Sequence, residues 1–185
     1  ALGTGSTFLR FGYSLGHQEE HERINAVKRI DKYTDFAVKT DSKVIIGLIR
    51  GRYGFKNNPD REKKNIVLSL RQCCKIAENK GVDLAFEPIN RFEIDSYNTI
   101  KEAVDLLTEI NSDRLKLLID SFHTHLEEDP GFVWDDLKEV GDKVGHVHLA
   151  DCTRRAPSTG HFDFKTFLGA FKEAGYDGYA SIETI

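Results

Sequence analysis

The chain has 185 residues, with 26 Lys and Arg against 30 Asp and Glu, which gives a formal net charge of −4. Affinity for nucleic acid comes largely from Lys and Arg, so this balance argues against a general nucleic-acid binder. No apolar run approaches the roughly 20 residues of a membrane-spanning helix, and the three cysteines show no spacing typical of a disulfide framework. We therefore expect a cytoplasmic protein that binds neither nucleic acid nor membrane.

Hydrophobic periodicity alternates along the chain between helix-like spacing and short, nearly continuous apolar runs. In chain order the pattern predicts helix 19–41, strand 43–49, helix 60–80, strand 82–87, helix 98–111, strand 115–120, helix 132–140, strand 144–150, helix 164–174 and strand 179–183. Strands that alternate with helices are the signature of parallel βα units. No linker or composition change divides the chain, so we expect a single domain over residues 1–185.

Two architectures fit this order, an open doubly wound sheet and a (β/α)8 barrel. No Gly-rich dinucleotide fingerprint follows a predicted strand, and the "GTGS" of residues 3–6 lacks the further Gly and is expected to precede a long loop. Polar residues instead recur at the carboxyl ends of four predicted strands: Glu87, Asp120, His148 and Glu183. A ring of functional groups at strand ends is how a barrel builds its active site, which favours a TIM barrel.

The same four residues form a candidate metal site. Consecutive members lie about 30 residues apart, which is the length of one βα unit, so all four return to one end of the barrel. Carboxylate oxygens with one imidazole suit Mn²⁺, Mg²⁺, Co²⁺ or Zn²⁺ rather than a soft thiolate site. The alternative is that these residues only cap strands or pair with Lys and Arg.

The stretch "GHVHLAD" (145–151) contains two histidines that should share one face of a strand. Val147 and Leu149 alternate with them and are expected to face the outer helices, which leaves the histidines, with Val144 and Ala150, facing the barrel axis. His148 is nearer the mouth and is the predicted metal ligand. His146 lies one layer below, as a supporting hydrogen-bond partner or a core histidine.

Four segments carry a family resemblance: "FEPINRFE" (86–93), "LLIDSFHTHLEED" (117–129), "GHVHLADCTRRAPSTGHFDF" (145–164) and "SIETI" (181–185). They resemble the xylose-isomerase-like sugar phosphate isomerase/epimerase superfamily, and within it the ketose 3-epimerases of the tagatose/psicose 3-epimerase type. This resemblance implies a TIM barrel that is incomplete here, running from about the end of strand 2 through strand 7.

The resemblance also implies roles for individual residues. One divalent ion, Mn²⁺, Co²⁺ or Mg²⁺, with Zn²⁺ also feasible, would be held by the four strand-end residues. Two of these, Glu87 and Glu183, would exchange protons with the sugar in a two-carboxylate C3 epimerisation of a ketose or ketose phosphate, through a metal-stabilised enediolate. Glu93, His123 and Arg154 would contact the substrate. Family members also suggest a homodimer or homotetramer.

Several alternatives stay open at this point. An endonuclease IV-like zinc nuclease shares the barrel and the strand-end ligands, but it needs further histidines that the "GLIRGRYG" segment does not offer. An inosose dehydratase or a hydroxypyruvate isomerase would keep the same metal ligands. A third possibility is a partial barrel without activity, which we expect to be insoluble or to exchange segments with a partner when expressed alone.

Some polar residues have plainer interpretations. Glu93 and Arg154 could form an ordinary surface ion pair, and His123 could be a solvated loop residue. The segment from His125 to Asp129 is expected to be a solvated acidic loop rather than a source of further ligands. Cys152 lies near the predicted mouth without an adjacent general-base motif, so a role as a nucleophile is not expected.

Overall fold

The computed structural model describes residues 1–52, 58–129, 137 and 140–185. Its sheet has six parallel strands: β1 (Leu2–Gly3), β2 (Val44–Ile46), β3 (Leu84–Phe86), β4 (Leu115–Asp120), β5 (Val144–Leu149) and β6 (Ala180–Ile182). Each strand pairs with the next along the chain, in the order β1-β2-β3-β4-β5-β6. Strand order in a doubly wound sheet reverses partway, whereas in a barrel it follows the chain. Within the described residues β6 does not pair back to β1, so the predicted partial TIM barrel is confirmed.

Six helices connect and cover the strands in the described part of the chain: α1 (Gly5–Phe11), α2 (Glu20–Thr40), α3 (Pro59–Lys80), α4 (Ile100–Ile110), α5 (Ser121–Glu127) and α6 (Phe164–Glu173). Short 3-10 turns occupy Leu48–Arg50 and Gly141–Lys143. Four of the five predicted helices are therefore confirmed, and the one predicted over 132–140 falls mainly outside the described residues. None of the described helices is long and apolar enough to cross a membrane.

Three short elements differ from the sequence prediction. The segment after "GTGS" was expected to be a loop, but it contains α1, and strand β1 precedes it. Two residues of strand are too few to show an alternating pattern. The segment expected to be a solvated acidic loop, His125–Asp129, contains the last three residues of α5, and this helix begins directly after β4 because the Asp120 side chain caps it.

The sheet has a packed layer on each face. The larger core lies between the strands and the helices, and contains Val44, Leu84, Leu117, Val144 and Val147 among others. The opposite face carries a separate small cluster of Ile45, Ala85 and Leu118. A register shift between Leu117 and Leu118 places Leu117 opposite Val144 and Leu118 opposite His146.

This shift corrects one expectation about the direction of side chains. Val144 belongs to the helix-facing core and not to the inner face with the two histidines. His146, paired with Leu118, and His148, paired with Asp120, share the inner face as predicted. Because of this register shift, Val144 and the two histidines lie on opposite faces of β5 although their spacing in the sequence is even.

Candidate functional site

Four side chains from four different strands converge at one end of the sheet. Asp120 is the last residue of β4, His148 lies on β5, and Glu87 and Glu183 directly follow β3 and β6. The backbone N–H of Glu87 donates to Ile46 O at 3.2 Å, and that of Glu183 donates to Leu149 O at 3.1 Å. Both glutamates therefore continue the pairing of their strands, which fixes where their side chains begin.

The donor atoms of this cluster lie close together around His148. Its Nδ1 atom is 3.2 Å from Glu183 Oε2, 3.5 Å from Glu87 Oε1 and 3.7 Å from Asp120 Oδ2. One potential ligand atom from each of the four residues lies within 4.8 Å of all the others. The structure thus brings together all four residues that the sequence indicated.

The cluster fits a cation because two of its buried atoms make no hydrogen bond. Glu87, Asp120 and His148 are buried, while the Glu183 side chain is 44% exposed and faces the open side of the site. Glu87 Oε1 and His148 Nδ1 are buried and make no hydrogen bond. Leaving such atoms unpaired is costly, and a divalent ion would satisfy both at once. Three oxygen ligands and one nitrogen match the preferences of Mn²⁺, Co²⁺ or Mg²⁺ and remain open to Zn²⁺.

Crowded charges shift the protonation of the cluster in opposite directions. Burial and the nearby Glu87 carboxylate raise the pKa of Asp120 to about 7. Burial alone would lower the pKa of His148, but the carboxylates of Glu183 and Glu87 outweigh it and raise this pKa to about 10. Burial likewise raises the pKa of Glu87, whereas the interaction with His148 lowers that of Glu183. The cluster in the free protein therefore holds protons that a bound cation would displace.

The two carboxylate oxygens of Asp120 have different roles, since one caps a helix and the other faces the cluster. Oδ1 accepts the backbone N–H groups of Phe122 at 2.7 Å and His123 at 3.1 Å, and so caps α5. Oδ2 faces His148 Nδ1. The cap fixes the rotamer of Asp120, so its second oxygen is already aimed at the cluster.

His146 lies beside the cluster and not within it. Its Nε2 is 2.9 Å from Ser181 Oγ on β6, and its ring packs against that of His148 with centroids 5.2 Å apart. Burial and the charge of His148 lower the pKa of His146 to about 4, so the ring is neutral. His146 therefore lies beside His148 and hydrogen-bonds to β6, and its role in supporting a metal ligand stays a prediction.

The three residues expected to contact a substrate also meet at this end of the sheet. Glu93, His123 and Arg154 line one cavity together with Glu87 and Glu183. Arg154 Nη1 donates to Glu93 Oε1, and the guanidinium stacks over the Phe122 ring at 5.0 Å. The Glu93–Arg154 pair thus borders the cavity and is not an isolated surface contact.

The structure also shows the backbone conformation of Arg154 and the protonation state of His123. Arg154 has φ 58°, a left-handed conformation that is rare outside Gly and that tends to persist where surrounding contacts impose it. Asn90 Nδ2 donates to His123 Nδ1 at 2.7 Å, which leaves the ring proton on Nε2. Burial and the charge of Arg154 lower the pKa of His123 to about 3, so this ring is a neutral N–H donor.

Arg50 supports the site and was not singled out in the sequence. It is fully buried, and its guanidinium donates to Glu87 O at 2.7 Å, Gly47 O at 3.1 Å and Ser96 O at 2.9 Å. It also lies 5.0 Å from the centre of the Phe86 ring. The sequence feature that could have indicated this role is the position of Arg50 directly after the apolar run "VIIGLI". Burying an unpaired charge there would be costly, so a buried Arg at this position needs several hydrogen-bond acceptors.

A further difference concerns Cys152. The sequence suggested no base beside it, but the structure places His161 Nδ1 3.2 Å from Cys152 Sγ. Together with His125 these residues form a second group of potential metal ligands. A loop turn brings them together, and sequence spacing alone does not reveal it.

Comparison with known proteins places the chain in a family. Residues 3–185 match the family model for the xylose isomerase-like TIM barrel. The chain is 33% identical over 117 residues to D-psicose 3-epimerase of Ruminiclostridium cellulolyticum, an alignment that covers 63% of the chain and 39% of that enzyme. It is 27% identical over 177 residues to 3-dehydro-D-guloside 4-epimerase of Escherichia coli, with coverages of 91% and 67%.

Solved structures give the same result. D-psicose 3-epimerase with D-tagatose from Clostridium cellulolyticum H10 superposes with a TM-score of 0.84 at 26% identity, covering 94% of the chain and 61% of that structure. Apo 3-keto-D-glucoside 4-epimerase from E. coli gives 0.83 at 25% identity, covering 92% and 67%. The chain spans about two fifths of the length of two D-psicose 3-epimerases that it matches. These matches confirm the resemblance seen in the motifs, and the chain belongs to the xylose isomerase-like TIM barrel family.

Proposed function

We propose that residues 1–185 form one partial-barrel domain of a metal-dependent sugar epimerase that inverts C3 of a ketose or ketose phosphate. The observation that carries this proposal is the approach of two carboxylates from non-adjacent strands. Glu87, after β3, and Glu183, after β6, both come within 3.5 Å of His148 Nδ1 and line the same cavity. Relatives named as ketose and ketoside epimerases support this assignment.

One divalent ion would be held by Glu87, Asp120, His148 and Glu183. The two buried atoms without hydrogen bonds, Glu87 Oε1 and His148 Nδ1, support this role. When bound, the ion supplies Lewis-acid polarisation of the sugar carbonyl and adjacent hydroxyl. The hydrogen bonds that Asp120 accepts from α5 would hold the ligand geometry during turnover.

The two glutamates would carry the protons. The C3–H of a ketose is weakly acidic because it is next to the carbonyl at C2. Inversion requires that one group removes this proton from one face and another group returns a proton to the opposite face. Because Glu87 and Glu183 come from well-separated strands, a sugar between them would meet one carboxylate on each face. Either residue would act as the base, depending on which epimer enters.

The other cavity residues would orient the sugar. Arg154 and the neutral His123 offer N–H donors, and Glu93 offers an acceptor for hydroxyl groups. The Glu93–Arg154 ion pair limits the conformations of the guanidinium before a substrate arrives. We assign Arg154 and His123 to the oxygen atoms at the C1–C2 end of the ketose.

NMR in D2O tests this function directly. The full-length protein, stripped and reloaded with Mn²⁺ or Co²⁺, would be mixed with a panel of ketoses and ketose phosphates. After Mn²⁺ is removed, we expect the C3 epimer of at least one sugar, with deuterium at C3. Glu20→Gln, an exposed change at the start of α2, is the matched control for Glu87→Gln. A metal-loaded protein that leaves every sugar unchanged would refute the proposal, and an assay on abasic-site DNA would check the nuclease alternative.

Cellular location and assembly remain predictions. We expect a cytoplasmic homodimer or homotetramer, to be checked by fractionation and by light scattering of the full-length protein.

A further inference from the structure

A second cluster of metal-ligating side chains lies outside the carboxylate cluster and shares no residue with it. It comprises His125 in α5, and Cys152 and His161 in the loop between β5 and α6. One ligand atom from each lies within 4.8 Å of the other two. Cys152 Sγ is 3.2 Å from His161 Nδ1, and the ring centroids of His125 and His161 are 5.3 Å apart.

The loop that supplies two of these residues is held closed by Asp151. This carboxylate is buried, and its Oδ1 accepts the backbone N–H groups of Cys152 at 2.8 Å and Phe162 at 3.3 Å. A Cβ atom at Gly160 would lie 2.1 Å from Asp151 Oδ1 and 2.6 Å from Cys152 Sγ. The close approach therefore requires glycine at this position, and it brings His161 back beside Cys152.

Aromatic packing fixes the histidine side of the cluster. Phe162, next to His161, packs against Phe164 and Phe167 with centroid distances of 4.9 and 5.2 Å. The His125 ring meets Phe162 edge-on at 5.9 Å. Phe167 is fully buried. The two imidazoles are thus anchored through Phe162 to the core, while both remain exposed to solvent and within reach of an ion.

The donor types point to a different ion from that of the carboxylate cluster. One thiolate and two imidazoles are the ligands that Zn²⁺ prefers, and hard ions such as Mg²⁺ or Mn²⁺ do not select sulfur. In a tetrahedral site with Zn–N near 2.0 Å and Zn–S near 2.3 Å, ligand atoms stand about 3.3–3.6 Å apart. The separation of Cys152 Sγ and His161 Nδ1 is already close to this range.

We propose that His125, Cys152 and His161 bind one Zn²⁺ ion, with water as the fourth ligand. Binding removes the thiol proton of Cys152, which passes to solvent, and leaves the thiolate on the metal. The ion would fasten the loop of residues 151–163 to the last turn of α5. This loop carries Arg154, and α5 carries His123, so zinc would join two walls of the cavity. The proposal does not depend on the sugar-epimerase assignment.

Thiol reactivity gives a readout specific to this site. Cys73 and Cys74 are buried, and Cys152 is the partly exposed cysteine. In the metal-free full-length protein we expect a fast reaction with a thiol reagent such as Ellman's reagent that is missing from Cys152→Ser. This reaction should be at least about tenfold slower with one equivalent of Zn²⁺ beyond the carboxylate site. Replacing Zn²⁺ by Co²⁺ should add a thiolate-to-cobalt charge-transfer band, which carboxylate and imidazole ligands cannot produce.

Matched variants decide between this site and its alternatives. Cys152→Ser should abolish the cobalt band, and His125→Gln or His161→Gln should weaken zinc protection by more than about a hundredfold, since loss of even a supporting group costs roughly 10- to 100-fold. His21→Gln, an exposed histidine of α2, should change neither. Glu183→Gln should leave both signals intact, which separates this site from the carboxylate cluster.

Two results would overturn the proposal. One is a Cys152 thiol that reacts equally fast with and without saturating Zn²⁺, which would mean that Cys152 and His161 share only a weak hydrogen bond. The other is a cobalt–thiolate band that survives in Cys152→Ser. Unfolding curves in EDTA that match the wild type would show that each variant is folded, so that neither result can be attributed to misfolding.

Discussion

His146 and His148 project from the same face of β5 with their rings nearly perpendicular, at 85°, and their centroids 5.2 Å apart. Only His148 faces the carboxylates, while His146 reaches β6 through Ser181. A pair that resembles a chelating motif in the sequence is therefore divided. His148 is a candidate metal ligand. His146 packs against the His148 ring, and its hydrogen bond to Ser181 links β5 to β6, the two strands that position His148 and Glu183.

This division predicts the effect of removing the lower ring. His146→Ala should weaken Mn²⁺ binding about 10- to 100-fold, because residues that support metal ligands typically contribute this much. Calorimetric titration of the full-length protein measures it. Ser181→Ala should cause a smaller loss, since it removes the hydrogen bond and leaves the ring packing. Unchanged Mn²⁺ affinity in His146→Ala would show that the lower ring is only a core residue.

Metal binding should depend strongly on pH. The pKa of His148 is raised to about 10 and that of Asp120 to about 7, so at neutral pH a cation must displace at least the His148 proton. Affinity should rise about tenfold per pH unit for each displaced proton, more steeply below pH 7, and level off only near pH 10. Titrations with Mn²⁺ in buffers of different ionisation enthalpy would count the released protons. An affinity independent of pH between 6 and 8 would contradict this.

The two glutamates should fail in different ways when replaced singly. If each serves one face of the sugar, Glu87→Gln and Glu183→Gln should each lower epimerisation by about 10²- to 10⁴-fold. Each variant should lose deuterium exchange at C3 for one epimer and retain some for the other. NMR of both epimers, incubated separately in D2O with the metal-loaded variants, measures this. Equal loss of exchange from both epimers would indicate that the change disrupts the metal site as a whole.

Asp151 should make the free energy of unfolding depend on pH in the acidic range. Burial would raise its pKa, but backbone hydrogen bonds from Gly160, Cys152 and Phe162 outweigh this effect and lower it below its ordinary value. The stabilisation is then fully present above the unfolded pKa of about 3.9 and is lost as pH falls toward the lower folded value.

Replacing this carboxylate should therefore cost most above about pH 4. Asp151→Asn should cost about 1–3 kcal/mol of unfolding free energy at pH 7, and this cost should shrink progressively as pH falls below about 4. Denaturant unfolding at several pH values measures the difference, with the exposed Asp177→Asn as control. A penalty that stays constant into acid would show that the hydrogen bonds do not depend on the charge of Asp151.

Much of the fold could be predicted because strand ends and helix periodicity are local signals. Glu87, Asp120, His148 and Glu183 each follow or end an apolar run, and parallel pairing brings such ends together. The direction of Val144 could not be predicted, because it depends on a register shift that belongs to two strands at once. The contact of His125 with Cys152 and His161 was also hidden, since it depends on a turn closed by Asp151 and Gly160. The roles of the site residues remain predictions.

Arg50 holds the main chain of Glu87 in place and leaves its side-chain carboxylate to the metal and proton-transfer roles proposed for it. The main-chain carbonyl of Glu87 is held by a guanidinium, which stays charged at any pH at which proteins function. The side-chain carboxylate of the same residue is not part of this hydrogen bond and can gain or lose a proton. The end of the strand can therefore keep its position whatever the protonation state of the carboxylate, because the charge that anchors it never titrates.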